Sequence, residues 1–359
     1  MTRVAAIDCG TNTIRLLVAQ AWRDDLGRVR LEPLRRRSQI VRLGQGVDRT
    51  GRLDPQALER TLAAVADYAE DCRELGVPEG PGARRFVATS ATRDAGNRDD
   101  FTAGVAHLVG VEPQVVSGQE EARLSFVGSL LGDGGAGGPD SADTGADAGA
   151  GATERLVVDL GGGSTELVLG DREPRSAVSL DTGSVRVTER FLAGGTGPQA
   201  LACARGEVRA LLDQAAEVVD LAAPARLVGL AGTVATVTAH ALGLEHFDPA
   251  AIDGAELGVE AVLASCEAIM ASTPQERQTW GYLAPGRRDV IAAGALVWAE
   301  VVGRVTQETT AAGRPLETVT TSLHDILDGI ALSLVPPAAP SRECTASGCR
   351  EPGSLEEQP

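Results

Sequence analysis

Apolar positions recur along the chain with two periods. The runs Val4 to Ile7 and Leu156 to Val158 each lead into an aspartate, then a polar turn, then an apolar return through Leu16 to Val18 or Leu167 to Leu169. Short runs bounded by turn residues read as buried strands, so each pair predicts a strand hairpin. Helical spacing replaces this pattern from Asp54 to Leu75, where Leu58, Leu62, Val65 and Ala69 share a face, Asp54 is the expected N-cap and Pro55 the first helical residue. Phe86 to Thr89 predicts a short strand entering Ser90-Ala-Thr-Arg93, and Val115 and Val116 end another. Ser117 and Glu120 then have the spacing of a capping box, opening a helix with Ala122, Leu124, Val127 and Leu131 as its buried stripe. Further on, a strand is expected within Ser176 to Thr188, with a turn at Asp181-Thr-Gly-Ser184, and a helix over Gln199 to Val219. Arg226 to Val237 reads as a strand entering a glycine–hydroxyl turn with Gly229, Gly232 and Thr233. Helices follow at Gly258 to Ala271, Asp289 to Val305 and Ser322 to Leu334, the last capped by Ser322 with Asp325 at its third position.

The two hairpins are one pattern used twice. Setting Asp8 on Asp159 also sets Gly10 on Gly161, Thr13 on Ser164 and Leu16 on Leu167. A repeat at that distance means two similar halves rather than a solenoid. The sequence predicts an α/β fold with a first domain at 1–131, a low-complexity Gly/Ala/Asp loop at 132–153, a second domain at 154–335 and a disordered tail at 336–359.

The hairpin turns carry the candidate chemistry. Gly161, Gly162 and Gly163 lack the Cβ atoms that keep a ligand off the backbone, so successive N–H groups can converge on an anion while Ser164 adds a hydroxyl. Gly10, Thr11, Asn12 and Thr13 offer the same in the first half, so two phosphate loops can face each other across a cleft; a ligand-free glycine hairpin is the plainer alternative. Asp8, Asp159 and Glu166 are acceptor-only carboxylates suited to magnesium travelling with phosphate. Gly232 and Thr233 offer a third phosphate or nucleotide contact. Arg93 falls in a strand-to-helix loop, where α/β sheets bind ligands, or is a surface arginine. Glu120 has a capping task and Glu121 does not: Glu121 is either a solvated helix-start glutamate or a base facing the cleft.

Composition narrows the partners. With 359 residues and 43% hydrophobic content the chain can build two cores, and 3% aromatics makes base-stacking platforms scarce. A net charge of -17 argues against nucleic-acid binding. All 33 basic side chains are arginine, which removes lysine nucleophiles and the P-loop lysine. Arg35, Arg36, Arg37 and Arg42 form the densest basic run, either a solvated strand edge or a patch steering a polyanion. The six scattered cysteines read as reduced thiols, and the chain enters its first strand without room for a signal peptide. With no apolar run of membrane-spanning length, a cytoplasmic protein is expected, with a homodimer left open.

In order and spacing, IDCGTNTIRLLV, TSATRDAGN, SGQEEARLSFVG, VVDLGGGSTELVLG and GLAGTVATV resemble the exopolyphosphatase and guanosine pentaphosphate phosphohydrolase family, over roughly residues 3–334. The resemblance implies two ribonuclease-H-like domains of the actin, sugar-kinase and heat-shock ATPase superfamily around a central cleft. It places Asp8, Gly10, Thr11 and Asn12 in the first phosphate loop and Gly161, Gly162, Gly163 and Ser164 in the second. Asp159 and Glu166 fall at the magnesium site, Arg93 at a phosphate-binding arginine and Glu121 at the general base. The last helix is expected to cross back onto the first domain. The implied reaction is magnesium-assisted release of orthophosphate from polyphosphate ends. Guanosine pentaphosphate hydrolysis is the runner-up, and a non-hydrolytic phosphate sensor or sugar-kinase-like transferase the third reading. The chain ends before the C-terminal helical domain of longer members, and Arg15 stands where some members have histidine.

Overall fold

The computed structural model describes residues 1–132 and 154–335. The low-complexity expectations at 132–153 and 336–359 therefore lie, apart from Gly132, outside the described residues, as do Cys344 and Cys349. The cysteines Cys9, Cys72, Cys203 and Cys266 are free thiols. No described helix is long and apolar enough to cross a membrane.

Eleven described strands form two sheets. The first contains β1 (Thr2–Cys9), β2 (Thr13–Arg23), β3 (Val29–Ile40), β4 (Arg84–Ala88) and β5 (Gln114–Val115), ordered β3-β2-β1-β4-β5. The second contains β6 (Arg155–Leu160), β7 (Thr165–Gly170), β8 (Pro174–Leu180), β9 (Arg226–Leu230), β10 (Glu256–Gly258) and β11 (Thr318–Thr321), ordered β10-β11-β9-β6-β7-β8. In each, three antiparallel strands lead and the next strands join parallel to the first. β1 thus corresponds to β6, β2 to β7 and β4 to β9, with β10 an added edge.

β1 is apolar on successive residues because both its faces are covered, the expected pattern for a central strand. Ala5, Ile7 and Cys9 pack with Tyr68, Phe86 and Phe101 on one side, while Val4 and Ala6 pack with Leu124, Ile326, Leu327 and Ile330 on the other. The Pro55–Glu74 helix is N-capped by Asp54, whose carboxylate accepts from the Gln56 and Ala57 amides.

The Gly118–Ser129 helix is buried more fully than a single stripe predicts. Leu124 joins the core of the first sheet, and Ala122 and Phe126 join Val157, Val168 and Val228 of the second. Ser125, Gly128 and Ser129 are also buried, whereas Val127 and Leu131 are only half-buried. A helix held between two sheets buries most of its circumference, leaving only Gln119 and Arg123 exposed. Its expected capping box is half present: the Ser117 hydroxyl accepts from the Glu120 amide, but the Glu120 carboxylate is drawn to Arg85 and Arg123.

Two other expectations change. The last helix is Ile326–Ser333, capped by Asp325 in a capping box with Asp328, and not by Ser322. Ser322 extends the strand register instead, its amide donating to the Gly229 carbonyl at 3.0 Å. Gly229 lies inside β9, paired with β6 and β11, rather than in a turn, and it is glycine there because the Trp298 ring occupies the space a side chain would need. Backbone approach also sets the contact between the last helix and Gly118–Ser129: a Cβ on Gly128 would meet the Asp325 carbonyl, and one on Gly329 the Leu124 carbonyl.

Candidate active site

The two hairpin turns fold alike. Gly10 N–H donates to the Thr13 carbonyl and Gly161 N–H to the Ser164 carbonyl, both at 3.0 Å. In the second loop the Gly161 carbonyl accepts from Ser184 and the Gly162 carbonyl from Val185 and Arg186. The Gly163 carbonyl accepts from Arg186 Nε at 2.7 Å. A trans peptide points its C=O and the following N–H in opposite directions. Carbonyls held on the outside therefore turn the Gly162 and Ser164 amides toward the cleft, whereas Gly163, expected in the phosphate loop, does not line it. In the first loop the Thr11 and Asn12 carbonyls are likewise taken, by Gly44, Val41 and Arg42. The Thr11, Asn12, Gly162 and Gly163 amides donate no backbone hydrogen bond within the described residues.

The glycines have a second task that the sequence does not show. A Cβ on Gly163 would meet Thr11 Oγ1 at 2.6 Å and Ser90 Oγ at 2.8 Å, and one on Gly162 would meet Thr11 Cβ at 3.1 Å. The loops touch, and glycine lets them.

Register places the carboxylates. Asp8 pairs across the strands with Arg15, and Asp159 with Glu166. By the repeat, Arg15 occupies the position of Glu166, so one half presents an ion pair and the other two acids. Arg15 donates to Asp8 at 3.0 and 2.7 Å and also binds Asp325 at the start of the last helix. Asp159 accepts from Ser125 at 2.5 Å and Glu166 from Ser179 at 2.7 Å. Glu121, 7% exposed, accepts from Arg93 at 3.2 Å.

Asp8, Asp159, Glu121 and Glu166 all line one cleft with Gly10, Thr11, Asn12, Thr13, Gly161, Gly162, Ser164, Gly232 and Thr233. Burial raises the carboxyl pKa of all four; Asp159 reaches about 6. In Glu121 the Asp8 and Asp159 charges add to the rise against Arg93, and in Glu166 the Glu121 and Asp159 charges add to it. These are acids that an incoming cation would relieve.

Three placements differ from the sequence expectation. Among the described residues no three acidic, histidine or cysteine side chains are gathered as a metal cluster, Asp8, Asp159 and Glu166 included. Asp8 is engaged by Arg15, which leaves the adjacent Asp159 and Glu166. Arg93 does not line the cleft; it is tied to Glu121 and, at 2.9 Å, to the Val116 carbonyl. The basic run on β3 and just after it is neutralised rather than free, with Arg35 and Arg37 on Asp71, Arg36 on Asp328 and Arg42 on Asp289.

Besides Arg15, which is held by Asp8 and Asp325, the cleft contains a cation the sequence reading missed, Arg287. Its guanidinium lies where a Gly232 side chain would project, and that guanidinium makes no hydrogen bond or ion pair with the described residues. Burial, with Arg15 nearby, lowers its pKa to about 10. The available signal was the run Gly286-Arg287-Arg288 ahead of a helix, but sequence does not say which arginine turns inward. Arg288 donates outward, to the Gln278 carbonyl.

The model of the Ppx/GppA phosphatase family matches residues 22–133 and 143–312. Over 340 residues the chain is 42% identical to exopolyphosphatase 2 of Mycobacterium tuberculosis, covering 93% of this chain and 99% of that protein. Among solved structures, an exopolyphosphatase-like protein aligns with a TM-score of 0.81 at 37% identity, covering 92% of this chain and 97% of that one. The Ppx/GppA family member of Aquifex aeolicus aligns with a TM-score of 0.68 at 25% identity, with the same coverage. With a family model matching most of the chain and a 42% identical relative covered almost end to end, the chain belongs to the Ppx/GppA phosphatase family.

Proposed function

We propose that this protein is an exopolyphosphatase, hydrolysing the terminal phosphoanhydride of inorganic polyphosphate to release orthophosphate. The observation that carries the reading is Glu121: a buried carboxylate of raised pKa in a cleft floored by two loops with inward-facing amides. The terminal phosphate would sit on the amides of Thr11, Asn12, Gly162 and Ser164, with the Thr13, Ser164 and Thr233 hydroxyls and Gly232 around it. Arg287 supplies the unpaired positive charge the polyanion needs. Glu121 takes the proton of a water whose oxygen forms the new bond to phosphorus. The bridging P–O bond breaks, and the shortened chain leaves with its electron pair. Arg93 orients Glu121 in the arrangement described and would reach a phosphate only by releasing it.

Asp159 and Glu166 fit magnesium, which takes one or two carboxylates and keeps several waters. They are buried cross-strand neighbours offering oxygen alone. When bound there, the ion would neutralise charge on the phosphate oxygens.

The nucleotide substrate is less well supported. The cleft lining contains no aromatic side chain among the described residues, and Trp298 is fully buried on Gly229. No aromatic ring there stacks on a base.

The test is orthophosphate release, with magnesium, from short polyphosphate, long polyphosphate and guanosine pentaphosphate by wild type and Glu121→Ala. Release from polyphosphate that collapses in the variant supports the reading. Turnover of the nucleotide alone replaces it, and inert wild type on all three removes it.

A further inference from the structure

Arg186 lies outside the cleft lining, behind the second phosphate loop. It belongs to the single helical turn Ser184–Val187 that follows β8, and its side chain is 11% exposed. Its guanidinium hydrogen-bonds to three groups at once, with the exposed Asp181 carboxylate a fourth, looser neighbour at 3.9 Å. Nε donates to the Gly163 carbonyl at 2.7 Å, one terminal nitrogen pairs with Asp48, and the other pairs with Asp94 at 2.8 Å. Gly163 is in the second half; Asp48 and Asp94 are in the first. A planar fork with separately directed donors suits this arrangement, which an ammonium would not reproduce.

Arg190 is a built-in comparison. It also binds Asp48, at 2.6 Å, and reaches Glu207, yet it touches neither phosphate loop. Glu189, between them, accepts from the Gly46 amide at 2.9 Å. The two halves are thus clasped along this edge, but only Arg186 joins the clasp to the peptide that follows Gly163. Because that peptide is planar and trans, fixing its carbonyl outward fixes the Ser164 amide inward.

We infer that Arg186 is a positioning residue that makes closure of the two halves and presentation of the second loop's amides a single event. It does so without touching substrate. The activity readout rests on the function proposed above; the exchange readout does not.

The experiment compares wild type, Arg186→Met, Arg186→Lys and Arg190→Met by hydrogen exchange of residues 46–48 and 161–165 and by steady-state kinetics on short polyphosphate. Arg186→Met is expected to speed exchange in both segments and to lower kcat by about 100-fold, the scale of a misplaced catalytic geometry. KM should stay within about threefold, because ground-state binding is largely kept. Arg186→Lys, which keeps charge for Asp48 and Asp94 but loses the fork, is expected to speed exchange mainly at 161–165 and still to lose kcat. Arg190→Met is expected to leave kcat and the 161–165 segment unchanged. The inference is overturned if Arg186→Met does no more than Arg190→Met, or if kcat falls only in proportion to an unfolded fraction measured by circular dichroism. Inert wild type would remove the proposed activity while the exchange data still decided the role of Arg186.

Discussion

Glu121 and Arg287 show how differently two residues can announce themselves. Glu121 stood out because Ser117 and Glu120 already accounted for the helix start, leaving the second glutamate without a structural task. The structure buries it beside Arg93 and three other acids. Glu121→Gln keeps the shape and removes the base, so kcat should fall by about 10²- to 10⁴-fold with little change in stability, as measured by phosphate release and thermal melting. Arg287 gave no such signal, since its meaning depends on Gly232, 55 positions away by number, leaving room for a guanidinium. Arg287→Met should lower kcat/KM by about 10- to 100-fold, the worth of one or two charged hydrogen bonds. An unchanged kcat/KM would mean that the terminal phosphate sits elsewhere.

At the scale of elements, the helices Gly118–Ser129 and Ile326–Ser333 cross backbone to backbone at Gly128 and Gly329. A methyl group at either position meets a carbonyl that belongs to a helix start or body and cannot swing aside. Gly128→Ala and Gly329→Ala should each cost about 1–3 kcal/mol in urea denaturation. The double variant should cost less than the sum, because one separation of the helices accommodates both. Most strands and helices were legible from periodicity, as with Asp54 capping the Pro55–Glu74 helix. Helix starts were less so, because both Ser322 and Asp325 can cap. The choice fell to β11, whose pairing with β9 runs on into Ser322.

At the scale of the whole molecule, the cleft gathers acids whose burial has a stability consequence. Asp159 is raised from 3.8 to about 6, so the folded state holds its proton more tightly than the unfolded chain. Its contribution is fully present below about pH 4 and is lost as pH rises through about 6, the reverse of a salt-bridged carboxylate. The difference is at most about 3 kcal/mol. In metal-free buffer, Asp159→Asn should therefore melt higher than wild type at pH 8 and close to it at pH 4. Added magnesium should raise the wild-type midpoint more at pH 8 than at pH 5, because the ion binds the deprotonated form. Parallel pH profiles for wild type and Asp159→Asn would contradict both statements.

The sequence by itself determined the hairpins, the repeat that relates Asp8 to Asp159, and the glycine and hydroxyl composition of the loops, because these follow from period, turn chemistry and spacing along the chain. It did not determine how the halves meet. That Thr11 fills the space over Gly163, that Arg15 also reaches Asp325, that Arg93 holds Glu121, and that Arg287 enters the cleft are relations between residues far apart in number. Only the packing of the two sheets around the Gly118–Ser129 helix decides them, since burial and charge pairing depend on distances that a linear pattern does not contain.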